Sequence, residues 1–238
     1  MDNTPPETDY ADQKRHFDES KNQYAPGAII APPLHTTLEL RRVIETLDSV
    51  PFSERVVDFG AGTGRLSVAP AKAGYSVLAS DISERSLATL DDLARKLNLQ
   101  TIHTSTAFPN CGTFGAVVGS DVLHHVDLDE FLPRFHSVLR DGGKIVFTEP
   151  GGMNPVWYVY LTAFYDMRVE RRIVHCNLRT LRRKLIKHGF SDVKITGVGL
   201  LPRPLFGWND TACRLHDRSG DLPVLRWVAN RYLIEATK

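Results

Sequence analysis

Arg55-Val56-Val57-Asp58-Phe59-Gly60-Ala61-Gly62-Thr63-Gly64-Arg65-Leu66 decides how this 238-residue chain folds. It opens as a short apolar run that closes on an acid, the pattern of a buried parallel strand. Three glycines at alternate positions follow, then a segment in which Leu66, Ala69 and Ala73 keep helical spacing. Strand, glycine turn and helix start together make a ligand cradle. Glycine lets the backbone turn tightly and lets a ligand lie directly on the main chain. The helix start beyond offers unpaired N–H groups and a partial positive charge, suited to a carboxylate or phosphate. The plain alternative is a glycine-rich surface turn that binds nothing.

Working outward, Tyr75 to Ser80 reads as a second strand that closes on Asp81. A carboxylate at a strand end beside a glycine turn can accept hydrogen bonds from both hydroxyls of a ribose. Its other reading is a helix cap, but Ser83 is better placed to cap the segment carrying Leu87, Leu90, Ala94 and Leu97. Thr101 to Thr104 is a candidate third strand. Phe114 to Gly119 is a fourth, running into Ser120-Asp121-Val122-Leu123-His124-His125-Val126. Lys144 to Glu149 is a fifth, after Asp141-Gly142-Gly143 ends a helix through Phe131, Phe135, Val138 and Leu139.

The glycine spacing rules between two nucleotide-binding folds. Dinucleotide folds carry G-x-G-x-x-G, whereas here the third glycine comes one residue early. The string resembles the first motif of class I S-adenosylmethionine-dependent methyltransferases, (D/E)-x-G-x-G-x-G, and Asp58, Gly60, Gly62 and Gly64 fill every specified position. The V-L-H-H-V string at 122–126 resembles methyltransferases as well, and L-R-D-G-G-K-I-V-F-T-E-P at 139–150 resembles those of small molecules. The resemblance covers about residues 54 to 198. It implies an α/β, Rossmann-like doubly wound sheet of seven mostly parallel strands, the last antiparallel, with helices on both faces. It also implies S-adenosyl-L-methionine as cofactor, held by Asp58, Gly60, Ala61, Gly62 and Gly64, by Asp81 and Ile82 at the ribose, and by Ser120 and Asp121. Resembled enzymes often place an acid after the third strand. This chain has Thr104-Ser105-Thr106-Ala107-Phe108 there, so adenine recognition falls to Thr106 and Ala107.

His124, then His125, are the candidate bases for an acceptor that must lose a proton, with Glu149 as an acid at a strand end. Each histidine could equally pack or cap its loop. A sulfonium carries a good leaving group, so alignment can supply much of the acceleration. No metal-ligand spacing is present.

Composition narrows the partners. Hydrophobic content of 42% and charged content of 24% are ordinary for a globular protein, and a net charge of +1 supplies no overall field for nucleic acid or an acidic membrane. Cys111, Cys176 and Cys213 are scattered, as expected of reduced thiols in a cytoplasmic protein. No apolar run approaches the roughly 20 residues of a membrane helix. A small-molecule substrate is therefore expected, with nucleic acid disfavoured, no membrane partner and the oligomeric state open.

The expected organisation is an N-terminal helical cap over 1–52 and a methyltransferase domain over 53–238, with a helical, aromatic-rich insertion at about 151–177. In the cap, Thr36 or Thr37 is the candidate start of a helix through Leu47, and Tyr24 is a cofactor contact or a packing aromatic. Pro70 predicts a kinked or short helix after the glycines. Trp157, Tyr158, Tyr160, Phe164 and Tyr165 form either a lid over an apolar substrate or the packed side of a helix. Arg168, Arg171 and Arg172, then Arg179, Arg182, Arg183, Lys184 and Lys187, read as solvated faces; they alone favour RNA. Leu178 to His188, then a sixth strand over Val193 to Val198 and a last over Tyr232 to Ala236, complete the pattern. The expected activity is methyl transfer to a small, partly apolar molecule. The alternatives are a tRNA or rRNA methyltransferase, a non-catalytic S-adenosylmethionine-binding protein and, against the glycine spacing, a nicotinamide oxidoreductase.

Overall fold

The computed structural model describes residues 15, 18, 24–164, 170–206 and 208–238, apart from the side chains of 160–164, 170, 171, 203 and 204. One seven-stranded sheet organises them in the order β3-β2-β1-β4-β5-β7-β6. The strands are β1 (Arg55–Phe59), β2 (Ser76–Ser80), β3 (Ile102–Ser105), β4 (Phe114–Ser120), β5 (Leu139–Pro150), β6 (Ser191–Val198) and β7 (Arg231–Thr237). β1 to β5 pair in parallel, and β7 runs antiparallel to both β5 and β6. The doubly wound sheet with its antiparallel last strand is as expected. β7 lies inside the sheet and β6 forms the edge.

Strand pleat divides the core into two layers. Val56 faces one way, with Val77, Ala79 and Val118, against α2 (Leu34–Leu47) and α4 (Glu84–Lys96) through Val43, Leu47, Leu90 and Leu93. Val57 and Phe59 face the other way, with Val117 and Phe147, against α5 (Leu128–Val138) and α7 (Leu178–Lys187) through Leu132, Phe135, Leu181 and Leu185. Because β1 and β4 are covered on both faces, they carry near-continuous apolar runs. The segment 24–52 adds Ile29, Val43, Leu47 and Val50 to the first layer, so it shares the core of the sheet.

Several boundaries differ from the sequence expectation. α2 begins at Leu34, with Pro33 at its N-cap, so neither Thr36 nor Thr37 starts it; the Thr37 hydroxyl lies 3.2 Å from the Pro33 carbonyl. β5 begins at Leu139, where it pairs with Phe114, and Arg140 to Gly143 form a bulge before pairing resumes at Lys144. The helix after the glycines, α3 (Val68–Lys72), is five residues long, as Pro70 predicts. Ser83 caps α4, its hydroxyl accepting from the Ser86 amide at 3.1 Å.

The remaining helices are α1 (Pro26–Ile30), α6 (Pro155–Phe164) and α8 (Asp210–Ser219). Strand order reverses between β1 and β4, so the crevice for a ligand opens at their carboxyl ends. The chain after β5, the chain after β6 and the start of β7 all reach that same end. No helix among the described residues is long and apolar enough to cross a membrane.

Candidate active site

The glycine turn leaves β1 at the floor of this crevice. Gly60, Gly62 and Gly64 all have positive φ (71°, 51° and 96°), yet they serve two purposes. A Cβ at Gly60 would stand 2.4 Å from the Val122 side chain, and one at Gly64 2.3 Å from that of Leu90. Those two glycines let neighbouring elements close in. A Cβ at Gly62 would meet nothing within 4 Å, so its main chain borders open space. This is the cradle that an elongated ligand needs.

Asp81, just past β2, ties that cradle to the second strand. Its Oδ2 accepts from the Gly62 amide at 2.7 Å and its Oδ1 from the Ser83 amide at 2.8 Å. Each carboxylate oxygen retains a lone pair for a further donor such as a ribose hydroxyl. Burial raises the Asp81 pKa, and the two backbone donors counter that shift. Ile82 is half-buried beside it, and Thr106 and Ala107 are exposed in the loop after β3, where the Ser105 hydroxyl accepts from the Ala107 amide at 3.2 Å.

Asp58 lies beneath the turn. It is fully buried, its Oδ2 accepts from the Ser67 hydroxyl at 2.5 Å, and its Oδ1 makes no hydrogen bond among the described residues. Burial pushes its carboxyl up to about 7, opposed by the Ser67 hydrogen bond. Ala61 is likewise buried. These two residues shape the turn from below, whereas Gly62 and Asp81 border its open side.

A largely buried quartet of charges, with Asp121 its most exposed member, stands on the other flank. Arg65, which directly follows the third glycine, reaches Glu39 of α2 at 2.8 Å and Asp121 at 3.0 Å. Arg231, the first residue of β7, reaches the same Asp121 at 2.7 Å and Glu39 at 3.3 Å. Thr148 Oγ1 lies 2.9 Å from Glu39 and 2.8 Å from the Ser120 hydroxyl. Tyr24 closes the group: its hydroxyl accepts from Arg65 at 2.8 Å, its ring covers the guanidinium, and its carbonyl accepts from Thr63 of the turn at 3.0 Å. The two guanidiniums hold the Asp121 carboxyl well below the usual range, outweighing its partial desolvation. Asp121 also adopts a φ of 57°, uncommon outside glycine.

The His124–Glu149 pair lies one turn further along. Glu149 is fully buried at the end of β5. Its Oε1 accepts from the amides of Val122 and Leu123, both at 2.8 Å, and its Oε2 bonds His124 Nδ1 at 2.7 Å. The Cys176 thiol approaches that same oxygen at 3.9 Å, and burial drives its pKa well up. Accepting from two backbone amides leaves the Glu149 carboxylate as the anchor of the loop. His124 Nδ1, a Glu149 oxygen and Cys176 Sγ come within 4.8 Å of one another, a donor set that a metal could use. His124 is buried, His125 is half-exposed, and their ring centroids are 4.0 Å apart.

The aromatic insertion packs where it is described. Trp157 Nε1 donates to the Asn230 carbonyl at 2.5 Å, just before β7, and the Tyr158 hydroxyl to that of Gly152, just after β5, at 2.7 Å. Tyr165 and the side chains of Tyr160 and Phe164 lie outside the described residues. Of the basic runs, Lys184, Lys187 and His188 converge on Asp129, and Arg182 bonds the Val193 carbonyl, contacts of a solvated helix face. Arg168 and the Arg171 side chain are also outside the described residues. Sequence reasoning missed Glu39, Arg65 and Arg231. Arg65 alone had a local signal, its place beside the third glycine.

Residues 57–147 match the model of the methyltransferase domain family. Among curated proteins, a ubiquinone biosynthesis O-methyltransferase of Idiomarina loihiensis is 34% identical over 123 residues, 49% of this chain and 51% of that one. A ribosomal protein L11 methyltransferase of Lactobacillus helveticus is 28% identical over 127 residues, 52% of this chain and 40% of that one. The match thus spans about half or less of these two relatives' length. Among solved structures, geranyl diphosphate C-methyltransferase from Streptomyces coelicolor, in complex with Mg2+, geranyl diphosphate and S-adenosyl-L-homocysteine, superposes with a TM-score of 0.69 at 16% identity, covering 98% of this chain and 99% of that one. Haemonchus contortus phosphoethanolamine N-methyltransferase 2 in complex with S-adenosyl-L-methionine gives 0.62 at 18% identity, over 94% and 59%.

Proposed function

We propose that this chain, which carries a methyltransferase domain within the class I fold, binds S-adenosylmethionine and directs its methyl group to a small, partly apolar acceptor. The observation that carries the reading is the open main chain at Gly62, whose amide is bonded to Asp81 at the point where strand order reverses.

The residues fit that group. Gly62 would offer backbone without a side chain to the methionyl end, on a turn whose amides at 60 and 61 are held by the Ser80 carbonyl. Asp81 would offer carboxylate lone pairs to the ribose hydroxyls, with Ile82 beside it, and Thr106 and Ala107 would be the residues nearest an adenine. Ser120 and Asp121 close the β4 side. S-adenosylmethionine supplies a methyl on a sulfonium, a carbon already bonded to a good leaving group. What remains for the protein is alignment, exclusion of water and, for a protonated nucleophile, acceptance of a proton.

His124 takes that last role, with His125 next to it. Glu149 holds Nδ1 of His124 as the protonated nitrogen, which makes Nε2 the basic one. We therefore assign Glu149 a positioning role. A partly apolar acceptor is supported by the exposed Val159, Leu201, Leu205, Trp208 and Trp227 on segments that follow the carboxyl ends of β5 and β6. Relatives named for ubiquinone biosynthesis and for geranyl diphosphate are consistent with an acceptor of this kind. The ribosomal protein L11 relatives, matched over 40% of their length, are named for a protein acceptor instead.

The test is release of S-adenosylhomocysteine from S-adenosylmethionine when the protein is offered a panel of small phenols, isoprenoids and quinols, with bulk tRNA and rRNA as comparison. Turnover on a small molecule and none on RNA is expected. Turnover on RNA alone, with steep salt dependence, contradicts the reading.

A further inference from the structure

Three donors from three separate elements meet beyond the carboxyl ends of β4 and β5. His124 stands in the turn after β4, Glu149 next to last in β5, and Cys176 directly after the 3-10 helix Glu170–His175. All three are buried, with exposures of 4%, 0% and 1%. His124 Nδ1 and Glu149 Oε2 are 2.7 Å apart, and Cys176 Sγ lies 3.9 Å from that oxygen. The backbone fixes each position. Glu149 Oε1 accepts from the Val122 and Leu123 amides, which turns Oε2 toward the other two donors. The Cys176 amide donates to the Ile173 carbonyl at 2.9 Å, and its own carbonyl accepts from the Gly152 amide at 2.8 Å. A Cβ at Gly152 would stand 2.0 Å from the Ile173 carbonyl oxygen, so glycine lets this segment seat against the end of β5. Outer hydrogen bonds of this kind are what orients the ligands of a metal.

Donor type and charge restrict what fits. Imidazole, thiolate and carboxylate together suit Zn2+ and its tetrahedral analogues, whereas Mg2+ and Ca2+ take oxygen. With zinc bonds of about 2.0 Å to N and O and about 2.3 Å to S, tetrahedral ligands stand about 3.3–3.5 Å apart. Nδ1 and Oε2 need part by only about 0.6 Å, and Sγ close on Oε2 by about 0.4 Å, to reach that geometry. Burial, then the Glu149 charge, keeps the Cys176 thiol protonated. A bound cation reverses that, because a coordinating thiol is deprotonated. One dication with one carboxylate, one thiolate and a neutral imidazole sums to zero, as a buried site requires.

We propose that His124, Glu149 and Cys176 form a site for a thiophilic dication of the zinc class, which takes the place of the proton between His124 and Glu149. Bonds form from the metal to Nδ1, Oε2 and Sγ, with water in the fourth position. The S–H bond breaks and its proton leaves to solvent. The imidazole proton passes from Nδ1 to Nε2, the ring stays neutral, and nothing is oxidised or reduced. His124 Nε2 is then an N–H donor. On the reading of His124 as the base, a filled site takes that base out of use, so the cation is an inhibitor and not a cofactor.

The test is titration of Zn2+ and of Co2+ into the metal-free full chain. One equivalent of Zn2+ should bind with a Kd of about 1 μM or below. Co2+ should give a sulfur-to-cobalt charge-transfer band in the near ultraviolet, and Zn2+ should move the His124 N–H from Nδ1 to Nε2 in nitrogen-15 spectra. Cys176→Ser should abolish the cobalt band and weaken Zn2+ binding at least tenfold, whereas replacing the exposed Cys111 by serine should leave both unchanged. The spectra of the unaltered protein need no variant to fold. Absence of Zn2+ binding, cobalt bound without the sulfur band, a band that survives Cys176→Ser, or a His124 N–H that stays on Nδ1 overturns the assignment. None of these results touches the methyl-donor reading, which titration with S-adenosylhomocysteine tests separately.

Discussion

The Gly62 amide donates to Asp81 Oδ2 at 2.7 Å, so the turn after β1 and the end of β2 are one hydrogen-bonded unit. The backbone a donor would lie on and the carboxylate its ribose would meet are therefore fixed relative to each other before anything binds. Such preorganisation lowers the entropic cost of association.

Replacing Asp81 by asparagine keeps an acceptor for one amide but removes the charge. Hydrogen bonds to charged groups are worth about 1.5–3 kcal/mol. Affinity for S-adenosylhomocysteine should fall roughly tenfold to a hundredfold by calorimetry, with the melting temperature lowered only modestly.

Glu149→Gln tests the positioning role. The amide can still accept from Val122 and Leu123, but its NH2 then faces the protonated Nδ1 of His124. The imidazole must switch tautomer or lose the bond. Turnover should drop at least tenfold, as is general for a misoriented base, while S-adenosylhomocysteine affinity stays within threefold. Nitrogen-15 spectra of His124 should show Nδ1 protonated in the parent protein and changed in the variant.

Asp58 links the turn to pH. Its carboxyl is pushed from 3.8 up to about 7 in the folded chain. Between those values the folded state holds a proton that the unfolded state has released, so stability falls as pH rises through that window. The full cost is present above pH 7 and absent below pH 4. Across about three pH units this is on the order of 4 kcal/mol. Asp58→Asn should remove the dependence, so denaturant titrations at pH 5 and pH 8 should differ less for the variant than for the parent, which loses stability at the higher pH.

The fold was legible where the signal is local. The strand, the three glycines and Asp81 sit within 27 residues, and Pro70 foretold the short α3. Boundaries slipped where a stop signal had another use. Gly142 and Gly143 end no helix; they form the bulge that lets β5 resume pairing with β4 at Lys144. The quartet could not be read, because Glu39, Arg65, Asp121 and Arg231 come from four elements that meet only when the sheet is wound. Glu39 sits between Leu38 and Leu40 on α2, where nothing in the local pattern marks it as buried.

The most direct measurement is isothermal titration of S-adenosylhomocysteine into the parent protein and into Gly62→Val. A valine must adopt the 51° φ and place its side chain in the open space above the turn. Saturable one-site binding to the parent, and at least tenfold weaker binding to a variant that still melts cooperatively, is the predicted result. Unchanged affinity in a folded Gly62→Val protein would contradict it and put the donor somewhere else.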